Sequence, residues 1–306
     1  MIKLAIAGRS TAKLSQALQW ASGPNPPPKS HLAVDTTDPS SIRHLASRTK
    51  IILNCVGPFR LYGEPVVEHV LIRVRLLGCC GEPEFMERME NRTRIVGNLG
   101  TYESAVSGVA NADKLQELRR SRPRGLVLIP GTSPRGPLVN HLKEVGLWAV
   151  KLPSADATVV RRTLSCLAED PRGLPGVNES TKQIERREAF WSSIKPILWK
   201  RVQLRMKWQV LPFKMWFIGQ GFSGSLVSQG NRKPDVQIIT RVMGPEIGNL
   251  TTPIILVQCA LILLKERDSL PRGGVFPPGI VFGPTDLQDR LQQNGISFDV
   301  ISKKTV

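Results

Sequence analysis

Short apolar runs alternate with helix-like segments through about the first 70 residues, and this alternation most strongly limits what the chain can fold into. Strands are predicted at residues 2–7, 31–35 and 50–56, and helices at residues 11–20, 39–46 and 65–72. Strands that alternate with helices form a parallel sheet with helices on both faces. The first part of the chain is therefore predicted to be a doubly wound α/β domain.

The remainder of the chain has a different pattern. We predict strands at residues 147–150, 157–164, 213–218, 234–243 and 296–301, and helices at residues 111–120, 179–194 and 251–266. Several of these strands alternate apolar and polar residues, which is typical of a sheet with one exposed face. The second part is therefore predicted to be α+β, with a mixed or antiparallel sheet.

The chain is strongly basic. It carries 42 lysines and arginines against 25 aspartates and glutamates, a net charge of +17. Such an excess favours an anionic partner, namely nucleic acid, a phosphorylated cofactor or an anionic membrane. The five cysteines are an odd number without C-x-x-C spacing, which is typical of a reduced, intracellular protein. The four histidines are scattered, so no metal site is expected.

The longest apolar stretch, Ile254–Leu264, has eleven residues. A helix that crosses a bilayer needs about 20. We therefore predict a buried core helix here, and no transmembrane helix in this chain.

Arg9 and Ser10 directly follow the first predicted strand, in the sequence Ala7-Gly-Arg-Ser10. Ligands of open α/β sheets bind beyond the carboxyl ends of the strands, where an Arg and a Ser can pair with the 2′-phosphate of NADP. The alternative is that Arg9 only begins a surface helix.

Two further turns contain candidate residues. In Asn54-Cys-Val-Gly-Pro58, Gly57 allows a ligand to approach the backbone and Pro58 stiffens the turn. An ordinary strand-to-helix turn is the alternative there. In the next turn, Glu82 and Glu84 are predicted to cap a helix rather than to act as acid or base.

Several motifs follow one another in a recognisable order. They are Ala7-Gly-Arg-Ser10, Leu53-Asn-Cys-Val-Gly-Pro-Phe59, Tyr62-Gly-Glu-Pro-Val66, Cys80-Gly-Glu-Pro-Glu-Phe85, Gly273-Gly-Val-Phe-Pro-Pro-Gly279 and Asn294-Gly-Ile-Ser-Phe298. Together they resemble the saccharopine dehydrogenase-like oxidoreductases, relatives of the trans-acting enoyl reductases. Residues 100–104, 152–157 and 245–248 resemble the plant branch of that family. The resemblance implies a Rossmann domain that binds NADP, a second α+β domain and reduction of a lipid-type substrate.

The chain departs from the family pattern at specific places. Family members carry a G-x-x-G-F-T-G loop after their first strand, whereas here Met1 falls just before what resembles the second strand. Gly78 stands where the family's D-x-x-G-E motif has its Asp. The chain thus resembles a shortened member of the family, for which we expect weak or lost NADP binding and little reductase activity.

The resemblance also implies a division into domains. Residues 1–95 would form a partial NADP-binding domain, with an incomplete Rossmann-like, doubly wound parallel sheet. Residues 96–270 would form an α+β substrate or dimerisation domain, and residues 271–306 would return to the first domain. Arg9 and Ser10 are expected at the 2′-phosphate, and Asn54, Gly57 and Pro58 near the nicotinamide. No catalytic acid is identified.

A basic stretch contains four of the six tryptophans. They are Trp191, Trp199, Trp208 and Trp216, interleaved with Lys195, Lys200, Arg201, Arg205 and Lys207. This pattern suits an anionic membrane surface or stacking on nucleic acid. A mixture of core and surface residues is the third interpretation.

The sequence therefore predicts an NADP-dependent oxidoreductase of lipid or glycolipid metabolism, enoyl-reductase-like, with a hydrophobic small molecule or lipid as substrate. The alternative is a catalytically silent relative that acts at a membrane surface or as a scaffold. The expected location is intracellular, on membranes or lipid droplets, and a homo-oligomer is compatible with the family. Nucleic acid is not expected as a partner, because no RNA-binding module is recognisable.

Overall fold

The computed structural model of the chain describes two parallel strand pairs, two antiparallel sheets and the helices that pack on them. Its described residues are 3–23, 31–70, 74–93, 139–143, 146–150, 212–221, 235–271 and 276–305, with single positions at 117, 120, 159, 162, 163 and 166. The predicted helix at 179–194 and the basic stretch at 195–207 lie outside these residues.

The strands are β1 (Ile6–Gly8), β2 (His31–Ala33), β3 (Ile51–Asn54), β4 (Arg75–Gly78), β5 (Val139–Leu142), β6 (Leu147–Val150), β7 (Phe213–Gly221), β8 (Val236–Gly244) and β9 (Ser297–Thr305). The helices are α1 (Thr11–Ser22), α2 (Pro39–Ser47), α3 (Phe59–Val70), α4 (Pro83–Thr93), α5 (Thr252–Lys265), α6 (Pro278–Phe282) and α7 (Leu287–Gln293). A π-helical turn, Ile247–Thr251, directly precedes α5.

The parallel strands form two separate pairs. β1 pairs with β2, and β3 pairs with β4. Among the described residues, neither pair has a third strand. In the doubly wound order 3-2-1-4-5-6, strands 2 and 3 are neighbours, strands 4 and 5 are neighbours, and one strand separates the two pairs. The pairing therefore confirms the α/β class and matches an incomplete sheet of this kind.

The helices cover the β3–β4 pair from two sides. α2 and α3 share an apolar cluster with β3 that includes Ile42, Ile52 and Val70. Ile42 and Val70 are 1% and 0% exposed, and burial of each such side chain contributes about 1.5–3 kcal/mol. Alternate residues of a strand face opposite sides of the sheet. On the side away from α2 and α3, Leu77 of β4 packs against the cluster that contains Ile262 of α5.

The second part of the chain is antiparallel. β5 pairs with β6 in a hairpin, and β7, β8 and β9 form a three-stranded sheet with β8 in the centre. The predicted strands at 213–218, 234–243 and 296–301 are confirmed. The first and last extend further than expected, and β8 begins two residues later than predicted, at Val236. The last strand of the chain thus belongs to the same sheet as β7.

The strand predicted at residues 157–164 is wrong. Val159, Arg162 and Thr163, the positions described there, are helical. The Thr163 hydroxyl donates to the Val159 carbonyl at 3.1 Å, a contact of one helical turn, and Val159 is buried in the cluster around Phe59. The β-branched residues favoured a strand, but burial along one helical face determines the structure.

The helix predicted at residues 251–266 is confirmed as α5, and a π-helical turn that was not predicted lengthens it at its amino end. Together with the π-helical turn, the helical segment Ile247–Lys265 has 19 residues and a mean hydropathy of 2.0, enough in length and composition to cross a bilayer. Its buried residues, Cys259, Ala260 and Ile262, pack as a core helix does, whereas Val257 is 46% exposed. A single helix of this kind is weak evidence for a membrane span, because core helices meet the same criteria.

Candidate functional site

The carboxyl end of β1 leads through Arg9 and Ser10 into α1. Ser10 is the N-cap of α1, and its side-chain oxygen accepts a hydrogen bond from the Lys13 backbone N–H at 3.4 Å. The chain packs tightly here, since a Cβ on Gly8 would lie 3.3 Å from Leu14 Cδ2. The first backbone N–H groups of a helix have no partner within the helix and carry partial positive charge. The turn therefore combines an exposed guanidinium with a helix N-terminus, an arrangement that attracts anions.

A carboxylate lies close to this turn. Asp35 follows β2, and hydrogen bonds from the Thr37 backbone N–H and hydroxyl, at 2.9 and 2.8 Å, lower its pKa. The nearby positive charge of Arg9 lowers that pKa further. A bound phosphate would therefore have to share the Arg9 guanidinium with the Asp35 carboxylate. The sequence analysis did not single out Asp35, although it is the last residue of the strand predicted at 31–35.

The carboxyl end of β3 holds the second predicted group. Asn54 is only 4% exposed, and its side-chain oxygen accepts from the Val56 backbone N–H at 3.1 Å. Gly57 is exposed, and the Gly57–Pro58 peptide bond is cis. The Pro58 carbonyl accepts from the backbone N–H groups of Leu61 and Tyr62, both at 3.1 Å. The turn is held in a fixed shape with Gly57 open to solvent.

Glu82 fixes the start of α3 from a distant part of the chain. Its two carboxylate oxygens accept from the backbone N–H groups of Phe59 and Arg60, at 2.7 and 3.0 Å. The side chain is 2% exposed. The sequence analysis predicted a capping role for Glu82, and the structure shows that the capped helix is α3 rather than the helix that follows Glu82 in the chain.

Glu84 lies in the first turn of α4, as predicted. One of its oxygens accepts from Arg88 Nε at 3.1 Å, and Arg88 also pairs with Glu64 of α3. These contacts join α3 to α4. The second carboxylate oxygen of Glu84 is buried and has no hydrogen-bond partner among the described residues, so the predicted capping role of Glu84 stays a prediction.

Three cysteines lie at the carboxyl ends of β3 and β4. Cys55 is exposed, Cys79 is partly buried and Cys80 is buried. A hydrogen bond from the Cys55 thiol lowers the pKa of Cys79 to about 7, and the same contact with Cys79 raises the pKa of Cys55. Burial raises the pKa of Cys80. The sequence analysis noted only that Cys79 and Cys80 are adjacent and missed that Cys55 and Cys79 meet across two strands.

The two predicted groups stand at the carboxyl ends of different strand pairs. Arg9 and Ser10 follow β1, whereas Asn54, Gly57 and Pro58 follow β3. Among the described residues, no hydrogen bond or ion pair joins the two groups, so their roles stay predictions. In the same part of the chain, there is no cluster of three His, Cys, Asp or Glu side chains that could hold a metal ion.

Comparison with known proteins finds relatives that align with nearly the whole chain. The chain is 46% identical over 98% of its length to 89% of an Arabidopsis thaliana protein named "probable mitochondrial saccharopine dehydrogenase-like oxidoreductase". It is 30% identical over 99% of its length to 90% of a mouse saccharopine dehydrogenase-like oxidoreductase. A Caenorhabditis elegans lipid droplet localized protein is 24% identical, over 99% of the chain and 92% of that protein. No family model matches the chain.

The alignment with the plant protein also shows internal shortening. It covers 405 positions, while 98% of 306 residues is about 300, so about 105 aligned positions contain no residue of this chain. These positions lie inside the aligned region. The chain therefore lacks internal segments that its relative has, which agrees with the shortened family member expected from the sequence.

Proposed function

The chain belongs to the saccharopine dehydrogenase-like oxidoreductase family, and from that premise we propose that it is an intracellular NADP-dependent oxidoreductase with a lipid-type, enoyl-reductase-like substrate. The observation that carries the proposal is the identity of 46% to the plant oxidoreductase over nearly the whole chain. The worm relative is named for its place on lipid droplets, which supports a hydrophobic substrate and a lipid surface as partner.

The residues at the end of β1 fit a phosphate group. Arg9 is exposed, and the N-terminus of α1 begins two residues later with Ser10 as its cap. A guanidinium and free helix N–H groups are the usual donors for phosphate. We infer that Arg9 and Ser10 hold the 2′-phosphate of NADP. Asp35 beside Arg9 weakens this site, since its carboxylate competes for the same guanidinium.

The end of β3 is the proposed place for the reacting half of the cofactor. The exposed Gly57 presents backbone without a side chain, so a flat ring could approach it closely. Asn54 and Pro58 hold that turn in shape. NADPH, when bound, supplies the hydride, and the protein contributes orientation.

The loop Gly78-Cys-Cys-Gly81 has G-x-x-G spacing, but the buried Cys80 and Glu82 close it to a pyrophosphate.

Cofactor titration tests the proposal. We expect the purified chain to bind NADPH more tightly than NADH, and Arg9→Ala to weaken NADPH binding about tenfold, the value of one charge-assisted contact. Arg48→Ala is the matched control, because Arg48 is an exposed arginine at the opposite, amino end of β3. Equal affinities for the two cofactors, or equal effects of the two substitutions, would overturn the role given to Arg9.

A catalytically silent relative is the second candidate. The missing internal positions favour it, because a shortened chain has fewer groups with which to enclose a cofactor and a substrate. If neither NADPH nor NADH binds while the chain is folded by circular dichroism, this candidate replaces the first, and a membrane-surface or scaffold role becomes the proposed function.

A further inference from the structure

Two cysteines occupy equivalent positions on neighbouring parallel strands. β3 and β4 are in register with Asn54 opposite Gly78, and the next residue on each strand is a cysteine, Cys55 and Cys79. The pairing continues at this point, because the Cys79 backbone N–H donates to the Asn54 carbonyl at 3.4 Å. The two thiols therefore lie side by side at the carboxyl edge of the pair.

This placement suits a disulfide. Neighbouring strands are about 4.7–4.9 Å apart, and the Cα atoms of a disulfide are usually about 4.4–6.8 Å apart. The Cys79 thiol donates to the Asn54 carbonyl at 3.7 Å, which holds its sulfur beside the residue that precedes Cys55. Cys55 is exposed, so a small oxidant in solution can reach the pair.

We propose that Cys55 and Cys79 form a reversible disulfide, which ties the ends of β3 and β4 together when the protein meets a low-molecular-weight disulfide such as oxidised glutathione. The Cys79 thiolate attacks one sulfur of that oxidant and releases a thiolate. The Cys55 thiol then loses its proton to solvent, and its sulfur attacks the Cys79 sulfur of the mixed disulfide and releases the second thiolate. The protein loses two electrons and two protons, and the oxidant is reduced to two thiols.

The electrostatics support Cys79 as the attacking group. Thiol–disulfide exchange is fastest when the attacking thiol has a pKa near the ambient pH. The hydrogen bond from Cys55 lowers the pKa of Cys79 to about 7, whereas burial raises that of the adjacent Cys80. Cys80 is 1% exposed as well. The neighbouring residue therefore provides an unreactive reference within the same peptide.

Mass spectrometry of the oxidised protein tests the proposal. The reduced chain is incubated with oxidised glutathione, blocked with N-ethylmaleimide and digested with trypsin. Cleavage after Lys50, Arg60, Arg75 and Arg88 places Cys55 in peptide 51–60 and both other thiols in peptide 76–88. We expect these two peptides to be linked, with fragment ions that locate the bond on Cys79, and dithiothreitol to release them.

Two variants sharpen the result. Cys79→Ser should abolish the link, whereas Cys80→Ser should retain it. Glutathione adducts without a link between the peptides, or a link that persists in Cys79→Ser, would overturn the proposal. If Cys80→Ser does not fold, the fragment ions of the unsubstituted protein still decide between Cys79 and Cys80. The readout needs no bound cofactor, so it is independent of the proposed function.

Discussion

The reactivity of Cys79 depends on one neighbouring side chain. A hydrogen bond from the Cys55 thiol lowers the pKa of Cys79 to about 7. Because the shift is downward, the thiolate form of Cys79 dominates above pH 7 and is lost as the pH falls below it. We expect the rate of alkylation by iodoacetamide, measured peptide by peptide, to rise with a midpoint near pH 7 at Cys79.

Removal of the hydrogen-bond donor provides the control. In Cys55→Ala the Cys79 thiolate loses its partner, so the midpoint of alkylation should move up toward the ordinary value for cysteine, about 8.5. A midpoint that is unchanged in Cys55→Ala would show that the two thiols do not interact. Alkylation of Cys80 should stay slow at every pH, because that side chain is buried.

Some residues of the candidate site could be predicted from the sequence and others could not. Arg9 and Ser10 could be recognised because their position depends only on a strand that ends and a helix that begins. The N-cap role of Ser10 could be predicted for the same reason. The contacts of Cys55 with Cys79 could not be predicted, since they depend on which strands are neighbours and on their register.

At the scale of elements, the start of α3 depends on a carboxylate from the turn between β4 and α4. Glu82 accepts two backbone N–H groups at the first residues of α3 and is buried. We expect Glu82→Ala to lower the free energy of unfolding by about 2 kcal/mol, because two backbone donors, one buried and one partly buried, lose a charged acceptor. Glu82→Gln keeps one acceptor oxygen in place and should lose about half as much.

Urea denaturation followed by circular dichroism measures both values. Glu68→Ala is the matched control, because Glu68 is an exposed glutamate on α3 itself and such a change costs at most about 0.5 kcal/mol. If Glu82→Ala is no more destabilising than Glu68→Ala, the capping contact contributes nothing to the stability of α3.

Elements with strong local signals were predicted and those that depend on tertiary contacts were not. α1 and α2 were predicted nearly to their ends, since a Ser and an Asp cap them locally. α3 begins at Phe59, six residues before the predicted start, because Glu82 stabilises its first turn from a position 22 to 23 residues further along the chain.

β4 was not predicted at all. Its four residues are too few to show a period, and only its pairing with β3 makes it a strand.

For the whole molecule, the order of the family motifs predicted more about the fold and the family than the spacing of apolar residues did. The family and the shortened chain follow from motifs spread from Ala7 to Phe298, and both agree with the relatives. The separation into two parallel pairs also agrees with the expected incomplete sheet. The helix predicted at 251–266 is confirmed as α5 within one residue at each end, but the π-helical turn before it was not predicted, because its Gly248 and Asn249 interrupt the apolar pattern.

The charge of the whole chain leads to a prediction about membranes. A net charge of +17 attracts anionic lipid, and each basic residue near such a surface contributes about 1 kcal/mol. We expect the protein to float with phosphatidylserine vesicles at about 0.05 M salt and to be released at about 0.5 M, where the Debye length falls well below 10 Å. Neutral phosphatidylcholine vesicles are the control and should not bind.

The same assay separates two modes of attachment. An attachment by charge is lost in high salt, whereas insertion of an apolar segment is not, because burial of apolar surface does not depend on Coulomb attraction. The segment that could insert is Ile247–Lys265, whose Val257 and Leu250 are 46% and 47% exposed. Binding that survives high salt, or that is equal on neutral vesicles, would contradict the electrostatic attachment and assign the contact to this helix. Val257→Asp would then abolish the binding, since a carboxylate on its exposed side cannot enter the hydrocarbon without a large cost.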